Sequence, residues 1–120
     1  MGANEFNLVA KLYTRFNARD IDGIFELLQA DVSWANGMDG GYVRGLNELR
    51  AYWTQQWEKV SPKVTPKTFQ PTEDGIVVSV QQQISAHDGS ILFDGAVRHA
   101  FSIRNGKIAR FDILADSRQP

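Results

Sequence analysis

Three dipeptides in the second half of the chain, Asp74-Gly75, Asp88-Gly89 and Asn105-Gly106, constrain the fold more than any other feature. Each is a favoured two-residue hairpin turn, because Gly beside Asn or Asp accepts the positive φ that such turns require. Around them, from Lys63 to Ala115, apolar and polar residues alternate with the period of a strand. This stretch is predicted to be a four-stranded antiparallel meander. Tight turns also set register. Asn105-Gly106 places Ile103 opposite Ile108, Phe101 opposite Arg110, His99 opposite Asp112 and Val97 opposite Leu114. Asp88-Gly89 places Val97 opposite Val80, His99 opposite Val78 and Phe93 opposite Ile84. Asp74-Gly75 places Phe69 opposite Val80. All three turns collect the large apolar side chains on one sheet face, which must then be covered.

The first half has helical spacing. Phe6, Val9, Tyr13 and Phe16, widened by Leu8 and Leu12, form one stripe from Asn4 to Phe16. Asp20 is an expected N-cap for a second helix with the stripe Ile21, Ile24, Phe25 and Leu28. A short strand follows, with Val32, Trp34 and Asn36 on one side and Ser33 and Ala35 on the other. Asn36 to Gly41 holds three glycines and is expected to be a loop. A third helix runs from about Leu46 to Val60, carrying Leu49, Trp53 and Trp57, and Ser61-Pro62 stops it. The expected order is α-α-β-α-β-β-β-β, an α+β fold with the helices on one face of the sheet.

The 120 residues suit a single domain, 1–120. With 13 basic and 14 acidic residues, no positive surplus points to nucleic acid or an anionic membrane. No cysteine is present and only two histidines, so no metal site is expected. No apolar run approaches a membrane span and the N-terminus has no signal-peptide pattern, so a cytoplasmic protein is expected.

The same register puts four polar side chains on the apolar face: His99, Asp112, Arg110 and Gln82. His99 and Asp112 are expected to be direct cross-strand neighbours, with Cβ atoms about 5 Å apart. Gln82 faces Gly95, which leaves room beside it. Asn36 joins them from the short strand. Polar groups converging within an apolar enclosure are the usual composition of a small-molecule site.

The segments Phe16-Asn17-Ala18-Arg19-Asp20-Ile21-Asp22 and Asp31-Val32-Ser33-Trp34, with Gly45 before the third helix and Gly106-Lys107-Ile108 at the last strand, resemble the nuclear transport factor 2-like superfamily. The likeness is to its SnoaL-like and ketosteroid-isomerase-like branch, and it covers nearly the whole chain. It implies a cone-shaped, cystatin-like roll with a pocket at the open end, and a homodimer formed through the outer sheet face. Against the ketosteroid isomerase pattern of an aspartate base with a tyrosine and a protonated aspartate, the tyrosine position falls on Leu12, the base on Asn36 and the second acid on His99. SnoaL-like polyketide cyclases carry a histidine and an aspartate on the last two strands, and His99 and Asp112 resemble that pair.

The resemblance implies cofactor-independent proton transfer α to a carbonyl of a small apolar, cyclic or polyketide-like molecule. Asp112 is the expected base and His99 orients it or donates to the enolate. Asn36 and Gln82 would position oxygens, Trp34, Trp53, Trp57 and Phe101 would form the walls, and Tyr13 and Arg110 would border the site. Plainer roles stand beside these. Arg110 and Asp112 can simply neutralise one another, Asn36 can cap loop backbone, and Trp53 and Trp57 can serve as core. Tyr13 is expected to pack with its hydroxyl near the mouth. A non-catalytic binding or dimerisation module of the same fold is the alternative function.

Overall fold

The computed structural model describes residues 2–37 and 39–114. Two helices, α1 (Gly2–Asn17) and α2 (Ile21–Phe25), precede β1 (Leu28–Ala35) and a short β2 (Tyr42–Arg44). Then come α3 (Gly45–Lys59), β3 (Ser61–Pro71), β4 (Gly75–Ser85), β5 (Ile91–Arg104) and β6 (Lys107–Leu114). The six strands form one sheet in the order β2-β1-β6-β5-β4-β3. Every neighbouring pair is antiparallel except β1 with β6.

The helical stripes pack as their spacing requires. Val9, Leu12 and Tyr13 from α1, and Leu49 and Trp53 from α3, are buried against Val78, Val80, Phe101 and Ile108 of the sheet. Asp20 caps α2, its carboxylate accepting from the Gly23 amide at 3.0 Å. That helix is shorter than its stripe suggests. It ends at Phe25, and Leu28 instead opens β1. The short β2 was not foreseen; it pairs Tyr42 with Ala35 and Arg44 with Ser33. The end of α1 is tied to β3 by Asn17, whose side-chain amide donates to the Val64 carbonyl at 2.7 Å and accepts from the Val64 amide at 3.0 Å. Arg19, at φ 62°, donates to the Pro62 carbonyl at 2.7 Å. These bonds hold the first residues of β3 beside the helix.

The register agrees with the sequence along β4–β5, where Val78 meets His99, Val80 meets Val97 and Ile84 meets Phe93, but beside the turn it is one residue off, Ser85 meeting Ile91, and a bulge restores it. On β3–β4 the connection is longer than two residues. Thr72 donates its amide to the Gly75 carbonyl, and Phe69 meets Val78 rather than Val80. The shift is an even number of residues, so Phe69 keeps its face.

On β5–β6 the outcome changes the site. Arg104 meets Lys107 and Ile103 meets Ile108, as a two-residue turn dictates. Beyond them a β-bulge inserts one residue, Ala109, into β6. Phe101 therefore meets Phe111, not Arg110, and His99 meets Ile113, not Asp112. Arg98, not Val97, meets Leu114. An odd slip reverses every side chain that follows. Phe111 and Ile113 turn toward the helices, and Arg110, Asp112 and Leu114 turn to the outer face.

Candidate functional site

Three helical residues, Leu12, Tyr13 and Phe16, and three more from α3, Tyr52, Trp53 and Gln56, stand over the concave side of the sheet. Facing them are Trp34 and Ala35 of β1, Pro62 and Val64 of β3, Gln82 of β4, His99 of β5, and Phe111 and Ile113 of β6. Together with Gly37 they enclose a pocket in which a water molecule's centre has about 80 Å³ to occupy. Exposed Gly37 and Ile113 mark its rim. Its walls are aromatic. Trp34 stacks on Phe111 with centroids 4.1 Å apart and meets Trp53 edge-on at 5.1 Å.

The polar centre is His99, buried at 5% exposure. Its Nδ1 shares a hydrogen bond of 2.7 Å with the hydroxyl of Tyr13, itself only 3% exposed. The Tyr13 hydroxyl thus lies deep in the fold and not at the mouth. Burial without a compensating charge acts on both groups. It pushes His99 down to about 4 and Tyr13 well above the ordinary phenol range. At neutral pH the pair is uncharged, a neutral imidazole held by a neutral phenol.

The other ring nitrogen, Nε2, has no hydrogen-bond partner among the described residues, and neither has the Gln82 amide. The fully occluded side-chain nitrogens and oxygens without a partner come down to one there, Trp57 Nε1. So His99 Nε2 and the Gln82 amide are unpaired but not sealed off, and they open onto the pocket they line.

Asp112 does not meet His99. On the outer face it accepts a hydrogen bond from Arg110 Nε at 2.8 Å and another from the Tyr42 hydroxyl. The Arg110 guanidinium lies over the Tyr42 ring, 4.6 Å from its centroid. Partial burial pushes the Asp112 carboxyl up, but the bonds from Arg110 and Tyr42 outweigh it and hold the carboxyl below its ordinary range. The expected adjacency of Asp112 and Arg110 is present, on the opposite face from the one expected. Asn36 is also apart from the pocket. Its side-chain oxygen accepts from the Asp39 amide at 2.9 Å, and its backbone bonds Gly40 and Gly41, closing the loop. Trp57 stacks behind Trp53 at 5.8 Å, and Phe101 lies beneath Trp34 and Tyr13. Both support the wall without lining the space.

The structure therefore brings together Tyr13, His99, Gln82, Trp34 and Trp53 from the sequence-derived set. Phe111 was missed, although a signal for it exists. Along β6 the large apolar residues are Ile108, Phe111, Ile113 and Leu114, and Ile108 and Phe111 are three apart where one face of a regular strand repeats every two. Among the described residues no cluster of three or more His, Cys, Asp or Glu could hold a metal ion. Nor, among the described residues, is any helix long and apolar enough to cross a membrane.

Comparison with known proteins agrees with this fold. Residues 9–111 match the SnoaL-like domain. An NTF2-like protein of unknown function from Burkholderia pseudomallei K96243 superposes with a TM-score of 0.83 at 25% identity, covering 94% of this chain and 91% of that one. TerC, co-crystallized with polyporic acid, gives 0.84 at 22% identity, with 95% and 92% covered. A putative polyketide cyclase from Sinorhizobium meliloti gives 0.76 at 19% identity, with 90% and 94% covered. A comparison with curated proteins finds no match. The chain belongs to the SnoaL-like domain family and has the NTF2-like fold.

Proposed function

We propose that this SnoaL-like protein is an enzyme that moves a proton at the carbon α to a carbonyl of a flat, apolar, cyclic or polyketide-like compound, without a cofactor. One observation carries the reading: a buried, neutral histidine presents its free Nε2 to an aromatic-walled pocket while Tyr13 fixes its other nitrogen. The likeness to a putative polyketide cyclase supports the substrate class.

His99 takes the base role that the sequence suggested for Asp112. In the reactive tautomer Nδ1–H donates to the Tyr13 oxygen, which leaves the Nε2 lone pair facing the substrate. Nε2 takes the α proton, and the C–H electron pair passes into the enolate. The imidazolium then returns the same proton to a second carbon, which gives isomerisation, or to the alkoxide oxygen formed when the enolate carbon closes a ring by bonding to a second carbonyl carbon. Tyr13 keeps the ring oriented through both steps. Trp34, Trp53 and Phe111 clamp a flat ring and exclude water.

The test is exchange of α protons in heavy water, followed by NMR over a panel of cyclic ketones and polyketide-like compounds that carry a C–H α to a carbonyl. The native chain is expected to exchange a subset of them, and His99→Gln to slow that exchange about a hundredfold or more. An unchanged rate in a folded His99→Gln variant removes His99 from the chemistry and overturns the proposal.

A further inference from the structure

None of the described residues lining the pocket is Asp, Glu, Lys or Arg. Two of its unpaired polar groups, His99 Nε2 and the Gln82 amide, stand apart. His99 pairs with Val78 and Gln82 with Gly95, so along β4 the two lie four residues from one another. At strand rise that is about 13 Å of backbone. Both side chains project to the same concave side, and Val80 and Val97, which pair with each other between them, carry no polar atom. The pocket thus has a polar group toward each end of its sheet side, with Trp34, Trp53 and Phe111 among its walls.

We infer that this pocket selects an electrically neutral, flat, two-ended molecule, one oxygen function meeting His99 Nε2 and a second, at the far end, meeting the Gln82 amide. The inference rests on the pocket being the substrate site proposed above, and adds which substrates it admits. An anion entering it would lose its hydration and find no countercharge, since the described lining offers neither Lys nor Arg and His99 is neutral. A neutral ligand with one oxygen would satisfy His99 and leave the Gln82 amide dry and unpaired. Gln82 is therefore the specificity residue, reading the end of the ligand remote from the reacting carbon. Its amide both donates and accepts, so it accommodates a hydroxyl or a carbonyl there.

The experiment compares three probes of one shape by quenching of tryptophan fluorescence. 2-Acetylnaphthalene is neutral with one oxygen function, 6-hydroxy-2-acetylnaphthalene is neutral with two, and 6-hydroxy-2-naphthoate is the anionic counterpart. The native chain is expected to bind the two-ended neutral probe about fivefold more tightly than the one-ended probe. The naphthoate should bind at least tenfold more weakly than the two-ended neutral probe. Gln82→Met, close in volume, should erase the fivefold preference while leaving the one-ended affinity within twofold. Gln82→Glu should weaken both neutral probes and keep the naphthoate out. Equal or tighter binding of the naphthoate by the native chain overturns the inference. So does a Gln82→Met variant that keeps the fivefold preference, or that loses both neutral probes equally. These are binding readouts, so the pattern can hold while His99→Gln leaves proton exchange intact, and that combination refutes the catalytic reading alone.

Discussion

Protonation of His99 is predicted to couple folding to pH in the window between its unfolded and folded values. Burial lowers it from the ordinary 6.5 to about 4 in the folded chain. Between those values the unfolded chain binds a proton that the folded chain does not, so stability rises with pH across the window and is lost as pH falls from 6.5 toward 4. The whole difference corresponds to about 3 kcal/mol, reached only below both values. At pH 5.0, where most unfolded carboxylates are still ionised, the loss relative to pH 7.5 is about 2 kcal/mol. That is a readable fraction of a domain stability of roughly 5–15 kcal/mol. Tyr13 is raised and stays neutral throughout.

The assay is urea unfolding at pH 7.5 and 5.0 of the native chain and of His99→Gln, analysed only if the m-value is unchanged between them. Exposed His87 and the carboxylates are common to both proteins and cancel in the comparison. The native chain should lose about 2 kcal/mol more than the variant on going to pH 5.0. The variant starts lower at pH 7.5, because Tyr13 loses a good partner, but its slope should be flatter. Parallel losses in the two proteins would refute the reasoning, since they would mean that His99 takes up its proton as readily folded as unfolded.

Tyr13→Phe removes the hydroxyl that bonds His99 Nδ1 and leaves that nitrogen buried without a partner. A loss of about 1–3 kcal/mol in urea unfolding at pH 7.5 is expected. Phe111→Ala removes a buried ring stacked on Trp34, and should cost about 3–5 kcal/mol with a change in the tryptophan near-ultraviolet circular dichroism. Asp112→Asn touches only an exposed ion pair and the Tyr42 hydroxyl. It should cost at most about 1 kcal/mol and leave proton exchange within twofold of native, so an abolished exchange would return Asp112 to the mechanism. Native proton exchange should fall as pH is lowered through about 4, because the base must be neutral; a limb near 6.5 would show that the active histidine is not buried.

The architecture was legible because its determinants are redundant. The β4–β5 pairing follows from Asp88-Gly89 and is repeated by the alternation of Val78, Val80, Phe93 and Val97, so each signal confirms the other. At Asp74-Gly75 the turn was misjudged by two residues, and nothing about the faces changed, because Phe69 still points to the core. The ends of α1 and α3 moved by one or two residues and their buried stripes did not, whereas α2 stops three residues short of its stripe and Leu28 passes to β1. The short β2 escaped because three residues have no period of their own. It exists because the loop closed by Asn36, Gly40 and Gly41 brings Tyr42–Arg44 back along β1.

The site was less legible because it rests on parity, and parity is not redundant. One extra residue at Ala109 leaves the strand count, the order and the turn intact, and exchanges the side chains on the two faces of β6 from Arg110 onward. Read without the bulge, the strand offers a carboxylate to the pocket and hides Phe111. With it, the pocket gains an aromatic wall, and the carboxylate goes outside to Arg110 and Tyr42. The energetic reason lies in the same residues. An unbulged strand would bury Arg110 and Asp112 among apolar neighbours and expose Phe111, whereas the bulge costs a local break in the ladder. The spacing of Ile108, Phe111 and Ile113 records that choice, and Trp34 stacked on Phe111 fixes it from the neighbouring strand. Once Asp112 is outside, the histidine is the titratable base left in the pocket. The question for the chemistry becomes how a base at about 4 acts on a carbon acid, and Tyr13, bonded to its far nitrogen, is the group placed to answer it.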